Sequence, residues 1–145
     1  MSAYADTAFL CSVYAPDANT PRANARLRRL SVPLPLHWLH QVELRNAFRL
    51  RVFRKEIRPE QRESALNAVS ADFSGGRLVS IDPPMRDLLM ESERLSATFT
   101  EKTGARSLDV LHVACAIVTG ASEFLGFDER QLGLARLAGL KTPKL

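Results

Sequence analysis

Apolar positions along this chain follow two rhythms. Short, largely apolar stretches lie between longer segments whose apolar residues recur every three to four positions. The first stretch implies a strand ending near Asp6, then a short helix to about residue 14. Residues 16–20 read as a turn. Thr20 and Pro21, as N-cap and first-turn proline, open a helix to about residue 30. Residues 34–38 form a second short strand. A long helix over 40–55 follows, with Leu44, Ala47, Phe48 and Val52 at helical spacing. Pro59 starts the next helix, and Gly75-Gly76 ends it. A third strand spans 77–81. Asp82-Pro83 opens a helix to about residue 102 that Gly104 closes, with Met85 read as core. Ser107 caps a helix over 108–118, residues 122–127 form a fourth strand, and 129–138 form the last helix. Residues 140–142 add a short edge strand.

The helix over 108–118 is unusual. It is apolar nearly all round, which places it in an interior. Its only polar residues are Asp109 and His112, three apart and so on one face. Strands alternating with helices imply an α/β fold with a short, mostly parallel central sheet covered on both faces. Such sheets gather their sites outside the C-terminal ends of the strands. Asp6 ends the first strand, Asp128 follows the fourth, and Asp109 and Glu43 lie in the first turns of their helices. Topology thus brings four carboxylates to one rim.

Length and composition narrow the setting. At 145 residues the chain suits a single domain, residues 1–145, with one core. No apolar run is long enough to span a bilayer, and the N-terminus lacks the pattern of a signal peptide. The two cysteines, Cys11 and Cys115, have apolar neighbours and read as core residues of a cytoplasmic protein. The net charge of +4 is unevenly spread: residues 22–58 hold ten of the twenty Lys and Arg but only Glu43 and Glu56 as acids. That flank suits a phosphate-bearing partner.

Two carboxylates about 5 Å apart repel by roughly 3 kcal/mol at an effective dielectric near 20. Four together need a proton or a cation, and an all-oxygen donor set suits Mg²⁺ or Mn²⁺. No Cys/His set with zinc spacing and no glycine-rich phosphate loop is evident.

These residues carry a resemblance. The segments YADTAFL, HQVELRNAF, RSLDVLHVACA and FLGFDERQLGLARLAGL, in that order, resemble PIN domains, specifically the VapC-type ribonucleases of toxin–antitoxin pairs. The resemblance implies a PIN-like three-layer α/β/α sandwich and a metal-dependent endoribonuclease. Asp6, Glu43, Asp109 and Asp128 would be its catalytic, metal-holding residues, with Asp6 and Asp109 foremost. Thr7, Asn46, Arg106 and His112 would orient these or meet substrate. It further implies RNA as substrate, a small cognate antitoxin and a homodimer. The chain departs from the family at two places: Ala8 and Gly126 stand where small hydroxyl residues are usual.

Three of the four acids also have a purely structural reading; Asp6, within an apolar strand, is hard to explain as structure. Asp128 with Gln131 at N3 matches a capping box. Asp109 and Glu43 suit helix N-termini. His112 suits packing, and the arginines around residue 50 suit a solvated face. A non-catalytic PIN-like module that binds RNA or protein is the alternative function. A phospho-acceptor receiver ranks last, since no lysine ends a strand opposite the acids.

Overall fold

The computed structural model describes residues 2–145. Its contacts divide the chain into two compact units. One comprises the segment ending at Asp6 together with Asp82–Lys144, and the other comprises Thr7–Ile81.

In the first unit, strand β1 (Ala3–Ala5) pairs in parallel with β4 (Glu123–Leu125), in the register Ala3–Glu123, Tyr4–Phe124, Ala5–Leu125. Every residue of both strands is buried, which is why their sequences run without alternation. The expected edge strand survives as one parallel bridge from Lys141 to Glu123. Helix α5 (Met85–Leu95) continues through a π-helical turn, Ser96–Thr100, into the short α6 (Glu101–Thr103). Gly104, at φ 67°, takes the left-handed conformation that ends it. Helix α7 (Ser107–Val118) buries Val113, Ala114, Cys115 and Ala116, and α8 (Glu129–Leu137) buries Leu134 and Ala135. Tyr4 stacks on Phe124 at 5.6 Å in this core.

In the second unit, β2 (Leu34–Leu36) pairs in parallel with β3 (Leu78–Ser80). Helices α1 (Thr7–Tyr14), α2 (Thr20–Leu27), α3 (Trp38–Phe53) and α4 (Pro59–Ser74) surround a core that includes Phe9, Leu10, Leu36, Leu44 and Phe48. Two polar clusters pin α1. Asp17 accepts hydrogen bonds from Ser12 Oγ at 2.7 Å, Arg51 Nη2 at 2.6 Å and the Asn19 N–H at 2.8 Å. Tyr14 Oη donates to Asp72 at 2.6 Å. Burial and that carboxylate raise the Tyr14 phenol well above its ordinary pKa.

Several local expectations need correction. Met85 is 53% exposed, so it is not core: its helix turns only Leu88 and Leu95 fully inward. Ser107 and Thr20 are first helical residues, not caps, and Arg106 and Asn19 hold the cap positions. Pro84, not Asp82, precedes the helix that begins at Met85. The long third helix starts at Trp38, which puts Glu43 in its second turn.

Candidate active site

The first unit brings three of the predicted acids to one edge of the β1–β4 pair. The Asp6 N–H donates to the Leu125 carbonyl at 3.0 Å, which extends the ladder by one residue and fixes Asp6 at the end of β1. Its side chain is only 4% exposed. Gly126 lies directly beside it. A Cβ at that glycine would stand 3.0 Å from Asp6 Oδ2 and 3.3 Å from Asp6 Cγ. The glycine read in sequence as a lost hydroxyl is therefore the space into which the Asp6 carboxylate fits.

Two residues on, Asp128 is the N-cap of α8. Its Oδ1 accepts the Arg130 N–H at 2.9 Å and the Gln131 N–H at 3.2 Å. The capping reading is thus correct as far as the backbone goes. Gln131 does not complete a box through Oε1, which is buried and without a partner. Asp128 Oδ2 faces Arg106 Nη2 at 3.6 Å.

Asp109, at the third position of α7 and 5% exposed, accepts two hydrogen bonds on Oδ2. One comes from the backbone N–H of Arg106 at 3.1 Å, and the other from Arg106 Nε, also at 3.1 Å. Both local signals, the helix-start acid and the arginine three residues before it, are visible in the string RSLD. What sequence reasoning missed is that one guanidinium reaches both Asp109 and Asp128. Those carboxylates raise the Arg106 pKa, by the Asp109 hydrogen bond first and then by charge attraction.

His112, one turn along α7, is buried and engages Tyr4 Oη through Nδ1 at 2.7 Å. It thus belongs to the packing of β1 against α7 as much as to the acidic edge. In the second unit, Thr7 Oγ1 donates to Glu43 Oε1 at 2.9 Å, so the residue that follows Asp6 in the chain orients the fourth predicted acid. Asn46 is exposed on the same helix as Glu43. His37 and His40, passed over in sequence as lacking ligand spacing, lie together with ring centroids 4.5 Å apart. They cap α3: the Leu39 N–H donates to His37 Nδ1 and the His37 N–H to His40 Nδ1, each at 3.3 Å. Of the basic run in α3, Arg51 is committed to Asp17, whereas Arg45 and Arg49 remain exposed.

Both cysteines are buried, and desolvation raises both thiols, Cys115 to about 11. Both fit the role of packed core cysteines. Carboxylate oxygens are the hard donor type that suits Mg²⁺ or Mn²⁺, and the Asp6 carboxylate fills the space beside Gly126.

No family model matches the sequence, and no curated protein matches it. Solved structures do. The chain is similar to VapC20 of Mycobacterium tuberculosis, described as a sarcin-ricin loop cleaving toxin, at 17% identity and a TM-score of 0.64. That match covers 91% of this chain and 94% of the other. It is similar to a chain of VapBC2 from Rickettsia felis, solved bound to a DNA fragment from its promoter, at 18% identity and a TM-score of 0.65. There the coverage is 99% and 98%. A third neighbour is FitAcB from Neisseria gonorrhoeae, at 16% identity and a TM-score of 0.64, covering 98% and 96%. The chain shares their mixed α/β fold, with short parallel strand pairs between helices.

Proposed function

We propose that this chain is a single-domain PIN-type endoribonuclease of the VapC toxin kind, which hydrolyses RNA phosphodiester bonds with the help of Mg²⁺ or Mn²⁺. What supports the proposal is that Asp6 and Asp128 follow the C-terminal ends of β1 and β4, that Arg106 meets both Asp109 and Asp128, and that the Asp6 carboxylate lies against Gly126. Coverage above nine-tenths of this chain and of each of the three similar chains supports reading residues 1–145 as one such domain.

In this reading Asp6, Asp109 and Asp128 would hold the cation; Glu43, the fourth acid that the sequence implies, lies in the second unit, where Thr7 orients it. A divalent ion so held supplies Lewis-acid stabilisation of charge on a phosphoryl group and lowers the pKa of water. The chain's own contribution is to fix the carboxylates before substrate arrives. Asp109 is held by a backbone N–H, Asp128 by two, and Asp6 by the strand that carries it. The exposed Arg45 and Arg49 steer the RNA backbone. The protein acts in the cytoplasm as a homodimer, and a small cognate antitoxin covers its acidic edge.

Hydrolysis by water leaves 5′-phosphate and 3′-hydroxyl ends and does not use the ribose 2′-OH as nucleophile. A histidine-driven ribonuclease leaves a 2′,3′-cyclic phosphate. His37, His40 and His112 are all buried, which disfavours that route. The test is cleavage of end-labelled RNA by wild type, Asp6→Asn and Asp109→Asn, with Mg²⁺ or EDTA. Metal-dependent cleavage with 5′-phosphate ends, lost in both variants, is expected. Cyclic ends, or cleavage that survives EDTA, remove the acids from catalysis. RNA binding with no turnover in Mg²⁺ assigns a non-catalytic PIN-like module instead.

A further inference from the structure

We infer that Arg106 is a tethered cation that takes turns with the divalent ion on Asp109 and Asp128, and that when displaced it becomes the clamp for the incoming phosphate. This rests on the metal-site reading above and adds to it a mechanism of exchange.

Three observations carry it. First, a single guanidinium spans two of the three carboxylates, with Nε 3.1 Å from Asp109 Oδ2 and Nη2 3.6 Å from Asp128 Oδ2. Second, neither carboxylate depends on the guanidinium for its position. Asp109 Oδ2 also accepts the Arg106 backbone N–H, and Asp128 Oδ1 accepts two N–H groups of α8. The side chain can leave while both acids stay in place. Third, the two sides of the ion pair differ in freedom: the Arg106 side chain is 65% exposed, against 7% for that of Asp109. The arginine is the member free to move.

The chemistry then runs one way. Asp109 Oδ2 already accepts two donors, one of them fixed by the helix start. A divalent ion binds carboxylate oxygen at about 2.0–2.1 Å and repels a second cation on the same oxygens. The guanidinium is therefore the group that yields. Released at the rim of the site, it presents a planar fork of donors matched to phosphate oxygens. Without metal, the same arginine offsets part of the repulsion between Asp109 and Asp128.

The consequence runs against the usual effect of deleting an active-site residue: Arg106→Gln should bind metal more tightly. The probe is Mn²⁺, titrated calorimetrically into RNA-free protein for wild type, Arg106→Gln, Arg106→Lys and Asp109→Asn. Thermal melts in EDTA check that each variant folds. Arg106→Gln is expected to gain about fivefold or more in Mn²⁺ affinity, within the range of ordinary coupling between sites, with Arg106→Lys between it and wild type. In the wild type, the Arg106 Nε–H resonance, identified by its loss in Arg106→Gln, should move away from its hydrogen-bonded position as Mg²⁺ saturates. Equal or weaker Mn²⁺ binding by Arg106→Gln, where wild type binds and Asp109→Asn does not, overturns the exchange and leaves the metal site standing. If neither wild type nor Arg106→Gln binds Mn²⁺, the metal site and the exchange fall together.

Discussion

Gly126→Ala is a substitution for which two physical effects predict opposite signs. Gly126 is buried, and its φ lies outside the left-handed region, so alanine is allowed by the backbone. Were the space open, the change would stabilise the protein by about 0.4–1 kcal/mol, because the unfolded chain loses freedom. The space is not open. The new Cβ would sit 3.0 Å from Asp6 Oδ2, a few tenths of an ångström too close, and Asp6 is itself buried. Overpacking of this kind costs about 1–3 kcal/mol. The difference is a net loss of roughly 1 kcal/mol, or about 2–4 °C in Tm for a chain of this length. Displacement of Asp6 should also weaken Mn²⁺ binding by about tenfold, the lower end for residues that support metal ligands. Gly126→Ser restores the hydroxyl usual in the resembled family, and its Oγ can donate to Asp6. It should therefore recover part of the loss, about 0.5 kcal/mol. Differential scanning calorimetry in EDTA and Mn²⁺ titration of the three proteins measure both effects. An alanine variant that melts higher than wild type, with unchanged Mn²⁺ affinity, would show that Asp6 does not occupy this space in solution and would refute the reasoning.

Other outcomes follow from the same contacts. In EDTA, Asp6→Asn should raise Tm by a few degrees by relieving like-charge repulsion of about 1–3 kcal/mol, while Asp109→Asn should lower it, because the Arg106 ion pair and the favourable charge at the start of α7 are lost; scanning calorimetry decides, and identical shifts would mean the two acids are not electrically distinct. Asp17→Asn should cost about 1.5–3 kcal/mol at pH 7, since the carboxylate accepts bonds from Arg51, Ser12 and Asn19. Burial opposes ionisation of Asp17, but those bonds outweigh it and hold its pKa below the ordinary 3.8. Its stabilisation is therefore complete above that value and fades as pH falls through the lower folded value, so urea melts of wild type and Asp17→Asn should converge only once the pH is below the ordinary carboxylate range. For RNA, log affinity should fall with log salt, with a slope of about −0.7 per phosphate contact on single strands, and charge reversal at Arg45 and Arg49 should flatten it. A slope left unchanged by those reversals returns the two arginines to the solvated face.

Much of this molecule was legible in the order of its residues. Apolar runs between helical segments foretold short parallel strands; β1 and β4 are buried throughout, whereas β3 leaves Val79 and Ser80 exposed. Asp6 and Asp109 were marked by the cost of burying charge without a partner, and Asp128, which is exposed, by its place after the fourth strand. Other features depended on distances that no local pattern encodes. Met85 fell outside the core because the register of α5, not its composition, decides which side turns inward. Gly126 reads alone as a missing hydroxyl; only the parallel pairing of β1 with β4, which sets it beside a residue 120 positions earlier, shows it making room for a carboxylate. Arg106 was visible as the arginine three residues before Asp109, but its reach to Asp128 exists only because α7 and α8 begin at the same edge. The sequence by itself determined which residues carry charge and which elements they end; the tertiary structure alone decided which of those charges meet, because Coulomb and steric terms act over ångströms in space and not over positions in the chain.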